Sequence, residues 1–111
     1  MSQASDIIRG HTETIILSRL LDHDSYGYEI NKSIRDLTDG AFEAKEGTLY
    51  TAFRRLEQAG YIRSYWGDES SGARRRYYDI TDEGRAFYDE SCREWQRVKT
   101  MIDRLIGTEQ A

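Results

Sequence analysis

Apolar residues recur along this chain in blocks of helical spacing, interrupted by two short runs of β-forming residues. In the first block, residues 5–22, Ile8, Ile15, Ile16, Leu20 and Leu21 fall mostly on one side of a helical repeat. Gly10 weakens its first turns, and Asp22-His23-Asp24-Ser25 break the pattern. Ser25 is suited to cap a second helix over about 26–38, with Tyr26, Ile30, Ile34 and Leu37 facing inward. Asp39-Gly40 stop that helix, and Ala41-Phe42-Glu43-Ala44 read as a short extended link. A third helix is expected from about Glu46 to Ala59. Its stripe of Leu49, Phe53 and Leu56 follows i, i+4, i+7, and Gly60 stands where a helix-ending glycine belongs.

The period then changes from helical to strand-like. YIRSYWG (61–67) and RRRYYDI (74–80) are rich in β-formers and flank the polar loop DESSGA (68–73), which predicts a β-hairpin with a projecting loop. Thr81 is placed to cap a last helix, with Asp82 and Glu83 suited to its first turn. That helix is expected to end at about Ile106, before Gly107. Tyr88, Cys92, Trp95, Val98, Ile102 and Leu105 form its apolar seam, with near-heptad spacing. At 1.5 Å per residue it is roughly 37 Å long, more than so small a domain can cover. The seam, with help from the first helix, therefore predicts a homodimer interface. Three helices, a hairpin and a long helix make a mainly α fold with a β-hairpin: a winged helix-turn-helix over residues 1–80 and a C-terminal dimerisation helix over 81–111 of the same compact unit.

Composition supports a single globular domain: 111 residues, 38% hydrophobic and 32% charged. No apolar run is long enough to span a bilayer, so no membrane partner is expected. The stretch MSQASDIIRG lacks the features of a signal peptide, and a lone cysteine, Cys92, cannot form an intrachain disulfide. A cytoplasmic location is the expectation. The net charge of -4 argues weakly against nucleic acid, but its distribution reverses that argument. Residues 1–44 carry net -4, residues 45–76 net +3 and residues 77–111 net -3. Phosphate responds to the local field, not to the total.

That basic segment holds the third helix and the hairpin. Opposite the Leu49-Phe53-Leu56 stripe lie Gly47, Thr51, Arg54 and Gln58, flanked by Thr48 and Arg55. A helix fits the major groove with its N-terminal residues deepest. Gly47 permits close backbone approach, Thr48, Tyr50 and Thr51 can reach phosphates or base edges, and Arg54, Arg55 and Lys45 suit phosphates. A lone Arg-Arg pair would be read as solvated surface. Here a polar helix start and a basic hairpin accompany it, and double-stranded DNA is the favoured partner. In the hairpin, strand alternation sends Arg74, Arg76 and Tyr78 to one side and Arg75 and Tyr77 to the other. This reads as a wing gripping the DNA backbone, or as a charged edge that discourages aggregation. Ser70, Ser71 and Gly72 at the tip suit phosphate approach. Trp66 is expected to pack within the wing or core.

Other chemistry finds little support. His11 and His23 lack partners at metal-ligand spacing, so no metal is expected, and His11 suits a helix surface or a dimer contact. Cys92 on an apolar stripe reads as an inert buried thiol. No nucleophile elbow, phosphate-binding loop or dinucleotide fingerprint is present, so neither catalysis nor a cofactor is expected.

The order and spacing of several short motifs resemble the PadR-like transcriptional regulators. The matching residues are Tyr26-Gly27-Tyr28-Glu29-Ile30, Gly47-Thr48-Leu49-Tyr50, Arg54-Arg55-Leu56-Glu57 with Gly60-Tyr61-Ile62, Arg75-Arg76-Tyr77-Tyr78, Ile80-Thr81 and Gly84-Arg85. Arg9-Gly10-His11 also fits. The resemblance covers nearly the whole chain. It implies a dimeric winged-helix repressor of an inverted-repeat operator, of the small subfamily whose last helix packs across the dimer. Some such members bind aromatic effectors against a tryptophan of that helix. Trp95 matches that position, so a small aromatic ligand is a possible partner. The competing reading is a winged-helix protein-protein interaction module without sequence-specific DNA binding.

Overall fold

The computed structural model describes residues 3–68 and 74–108. The expected tip residues Ser70, Ser71 and Gly72 lie outside the described residues. Five helices and three strands follow in the order α1 (Gln3–Arg9), α2 (Thr12–Ser18), β1 (Ser25–Tyr26), α3 (Gly27–Leu37), α4 (Glu46–Gln58), β2 (Ile62–Asp68), β3 (Arg74–Ile80) and α5 (Asp82–Ile106). The strands form one antiparallel sheet in the order β1-β3-β2. In the hairpin Ile62 faces Ile80, Ser64 faces Tyr78 and Trp66 faces Arg76.

The expected first helix is two helices. At Gly10 and His11 the backbone N–H groups bond back to Ile7 and Ile8, tightening the turn, and the Thr12 hydroxyl donates to the Arg9 carbonyl at 2.7 Å. A glycine followed by a residue that closes a tighter turn breaks the α-helical ladder here. Ser25 is likewise not the cap of α3. Its backbone pairs with Tyr78 in β3, and its hydroxyl donates to Glu29, so Tyr26 precedes the helix without a side-chain cap. Leu37, expected inside, is 68% exposed because α3 ends there and turns away through Asp39 and Gly40, both left-handed.

One core unites α2, α3, α4 and the sheet. Ile16, Leu17 and Leu20 meet Ile30 and Ile34 of α3, Leu49, Phe53 and Leu56 of α4, and Ile62, Tyr78 and Ile80 of the hairpin. The link before α4 is held by Asn31, whose amide donates to the Ala44 carbonyl at 2.9 Å and accepts from the Ala44 N–H at 3.0 Å. That two-point clamp, with Ala44 itself buried, aims the start of α4. Gly60 at φ 81° ends α4 and turns the chain into β2.

The Thr81 hydroxyl caps α5 by accepting from the Gly84 N–H at 3.0 Å, and Gly107 ends the helix in the left-handed conformation. Gly84 is needed for close packing: a Cβ there would stand 2.1 Å from the Tyr61 carbonyl oxygen. Next to that approach Phe87 stacks on Tyr61 with centroids 4.4 Å apart, fixing α5 to the end of α4. Beyond its first turns α5 leaves the body of the fold. Ile102 is 46% and Leu105 83% exposed in the single chain. Among the described residues no helix is long and apolar enough to cross a membrane.

Candidate nucleic-acid interface

Helix α4 is built so that one face is locked and the other is free. Leu49, Ala52, Phe53 and Leu56 are buried, and Phe53 stacks on Tyr78 with centroids 4.1 Å apart. With that face fixed, Lys45, Gly47, Tyr50, Arg54 and Arg55 are exposed. Thr48, Thr51 and Arg55 line a cleft of about 440 Å³ whose opposite wall is Arg9, Gly10 and Thr12 at the α1–α2 turn. Gly47 meets no atom within 4 Å of where its Cβ would be, so its backbone is open on the outer surface.

Tyr50 leans the other way. Its ring stands edge-on to Phe53 at 5.7 Å, and a Cβ on Gly27 would approach its hydroxyl to 3.2 Å. Glycine at the start of α3 therefore lets Tyr50 fill the notch between α3 and α4. The same groove is lined by Tyr28, Asn31 and Arg35. The Arg35 guanidinium lies 5.9 Å from the Tyr28 ring and pairs with Glu43 at 3.1 Å. The sequence pattern placed Tyr28 only within a motif, with no role at this groove, and did not single out Arg35. The available signal was a second tyrosine two residues after Tyr26, at the first turn of α3.

The hairpin arginines alternate between faces. Arg74 and Arg76 lie over the Trp66 ring at 5.2 and 5.5 Å, whereas Arg75 lies over Tyr26 at 4.7 Å. Trp66 is thus an exposed platform for guanidinium groups, not a core residue. Arg74 and Arg75 are exposed at the far end of β3. Arg76 is also exposed but reaches toward α4: it donates to Ser64 Oγ at 2.7 Å and stands 3.7 Å from Glu57. Tyr78 lies behind this group, and burial pushes its hydroxyl above the ordinary tyrosine range. On the other face Tyr65 stacks on Tyr77 and donates to Asp24.

A second feature lies between the α1–α2 segment and α5. His11, Ile7, Ile15, Cys92 and Trp95 line an apolar cavity of about 260 Å³ there. The His11 ring stands edge-on to Trp95 with centroids 4.9 Å apart. Cys92 is half-buried in the single chain rather than enclosed, and its hydrogen bond with Tyr88, ahead of burial, raises the Tyr88 hydroxyl. Among the described residues no three His, Cys, Asp or Glu side chains converge as a metal site.

A clamped helix with a free outer face, a hairpin beside it and a long trailing helix define a PadR-type winged-helix protein. Residues 16–90 match the family model described as "Transcriptional regulator PadR-like family". The chain is 50% identical over 102 residues to an uncharacterized protein of Lysinibacillus sphaericus, covering 92% of this chain and 94% of that one. It is similar in structure to a transcriptional regulator from Clostridium thermocellum, with a TM-score of 0.83 and 54% identity over 90% of this chain and 97% of the other. A PadR family transcription regulator from Clostridium difficile superposes with a TM-score of 0.76 at 39% identity, covering 87% and 99%. The chain belongs to the PadR-like family of transcriptional regulators.

Proposed function

We propose that this protein is a dimeric DNA-binding repressor that reads an operator of inverted symmetry. The observation that carries the reading is the division of α4, with Leu49, Phe53 and Leu56 fixed in the core and Gly47, Tyr50, Arg54 and Arg55 exposed. Two copies of α4 enter successive major grooves about 34–36 Å apart. Thr48, Tyr50 and Thr51 supply base or phosphate contacts near the start of the helix. Lys45, Arg54 and Arg55, with Arg74 and Arg75 of the hairpin, supply phosphate affinity. The protein has no catalytic role in this reading and acts in the cytoplasm, where the DNA is.

The dimer forms along α5 through Tyr88, Cys92, Trp95, Val98, Ile102 and Leu105. The exposed apolar residues Trp95, Met101, Ile102, Leu105 and Ile106 support this, since clustered exposed apolar residues mark interaction surfaces. The cavity beside Trp95 suits a small aromatic effector. Such a ligand would release DNA only by favouring a dimer arrangement in which the two α4 helices are wrongly spaced.

The test is a mobility shift on a promoter fragment from the protein's own gene neighbourhood, run at several salt concentrations against random DNA. Retarded promoter DNA with a steep salt dependence is expected. A folded dimer that treats promoter and random DNA alike would point instead to a protein-interaction module.

A further inference from the structure

Glu57, Ser64 and Arg76 belong to three different elements and meet at one point. Glu57 is in the last turn of α4, Ser64 is in β2 and Arg76 is in β3. Ser64 Oγ donates to Glu57 Oε2 at 2.6 Å, Arg76 donates to Ser64 Oγ at 2.7 Å, and Arg76 stands 3.7 Å from Glu57. The guanidinium is further held over Trp66 at 5.5 Å. The group therefore ties the end of α4 to both strands of the hairpin, next to the Phe53–Tyr78 stack.

Charge makes this arrangement informative. Glu57 puts a carboxylate in the basic segment, on the side of α4 that meets the hairpin. A carboxylate there repels phosphate, and an arginine there attracts it whatever the base sequence. Paired, they cancel as DNA ligands and act on each other. We propose that Glu57 and Arg76 are specificity-determining positioning residues: Arg76 sets the angle of the wing against the reading helix, and Glu57 withholds Arg76 from sequence-blind phosphate binding. Reading helices hold their contacts only within a narrow range of position and angle, so a tie between helix and wing acts on discrimination more than on total affinity. This inference rests on the reading of α4 and the hairpin as the DNA-binding surface.

The experiment compares wild type, Glu57→Gln and Arg76→Gln by fluorescence anisotropy over a salt series. The probes are a random-sequence duplex and a duplex selected by the wild-type protein from a randomised pool. In Glu57→Gln the freed arginine should gain a phosphate, steepening the salt slope on the random duplex by about 0.9. The selected-to-random affinity ratio should fall by about tenfold, on the scale of one lost base-pair discrimination. In Arg76→Gln the ratio should fall with no change of slope, because no phosphate contact is removed. A slope shallower by about 0.9 in Arg76→Gln would show that Arg76 already grips phosphate, and would overturn the proposal. An unchanged ratio in both variants would do the same.

If the wild-type protein holds neither duplex at any salt concentration, the DNA-binding reading fails by itself. The tie is then decided by residual dipolar couplings of the α4 and β2–β3 amides. Rotation of the hairpin relative to α4 in the two variants upholds the positioning role, and an unchanged orientation overturns it.

Discussion

The ring of Phe53 lies nearly flat against the ring of Tyr78, with centroids 4.1 Å apart and planes inclined by 16°. Both residues are buried, and the contact joins the inner face of α4 to the hairpin. Replacing Phe53 with Ala removes a buried aromatic ring and leaves a cavity against Tyr78. A loss of about 3–5 kcal/mol of unfolding free energy is expected from urea denaturation. A loss below about 1 kcal/mol would show that the site collapses around the smaller side chain.

Arg54 and Arg55 are exposed on α4 while the neighbouring Phe53 and Leu56 are buried. Replacing both with Ala should leave the melting transition in place and weaken DNA binding. Each arginine that neutralises a phosphate contributes about 0.9 to the salt slope, so the slope should become shallower in that proportion. Full affinity in the double variant would remove α4 from the DNA interface.

Ile102 is 46% exposed near the end of α5, where the helix has left the body of the fold. Its substitution by Glu places a carboxylate on the expected apolar seam, where burying the charge is costly. Sedimentation should show a monomer in which the winged helix remains folded. A persistent dimer would place the interface elsewhere.

Trp95 and His11 meet edge-on at 4.9 Å beside the apolar cavity. Binding of an aromatic dye such as anilinonaphthalene sulfonate should quench tryptophan emission in the wild-type protein, and Trp95→Ala should abolish that quenching. Trp66, the other tryptophan, is in the wing under Arg74 and Arg76 and supplies the remaining emission. Quenching that survives in Trp95→Ala would assign the dye to the wing.

Tyr65 donates a hydrogen bond to Asp24, and that bond, more than burial, pushes its hydroxyl up to about 12. The folded value lies above the ordinary value of 10.0, so the bond stabilises the fold below that value. Its contribution is lost as pH rises through about 12. Asp24→Asn should return one tyrosine to the ordinary range in an absorbance titration at alkaline pH. An unaltered titration would contradict the contact.

Much of this architecture is written locally. The Leu49-Phe53-Leu56 stripe, the glycine after α4, the Thr81 cap and the two β-forming runs each depend on neighbours within a few residues. Backbone sterics and side-chain period act over that range. The basic character of residues 45–76 is a sum over sequence and was equally legible. The break at Gly10 was visible only as a weakness, because a single glycine lowers helix stability without deciding whether the helix ends.

What tertiary structure alone decided concerns partners distant along the chain. Ser25 gave up its capping role because Tyr78 offered its backbone a strand partner. Phe87, off the expected seam, found Tyr61, and His11 found Trp95. Above all, Arg74 and Arg76 read alike in the sequence and both lie over Trp66, yet only Arg76 is seen to meet Glu57 and Ser64, while Arg75 lies over Tyr26. Strand alternation determines which side of the sheet each arginine faces. Which carboxylate or ring waits on that side is set by how α4 and the hairpin pack, and no local pattern of residues encodes that choice.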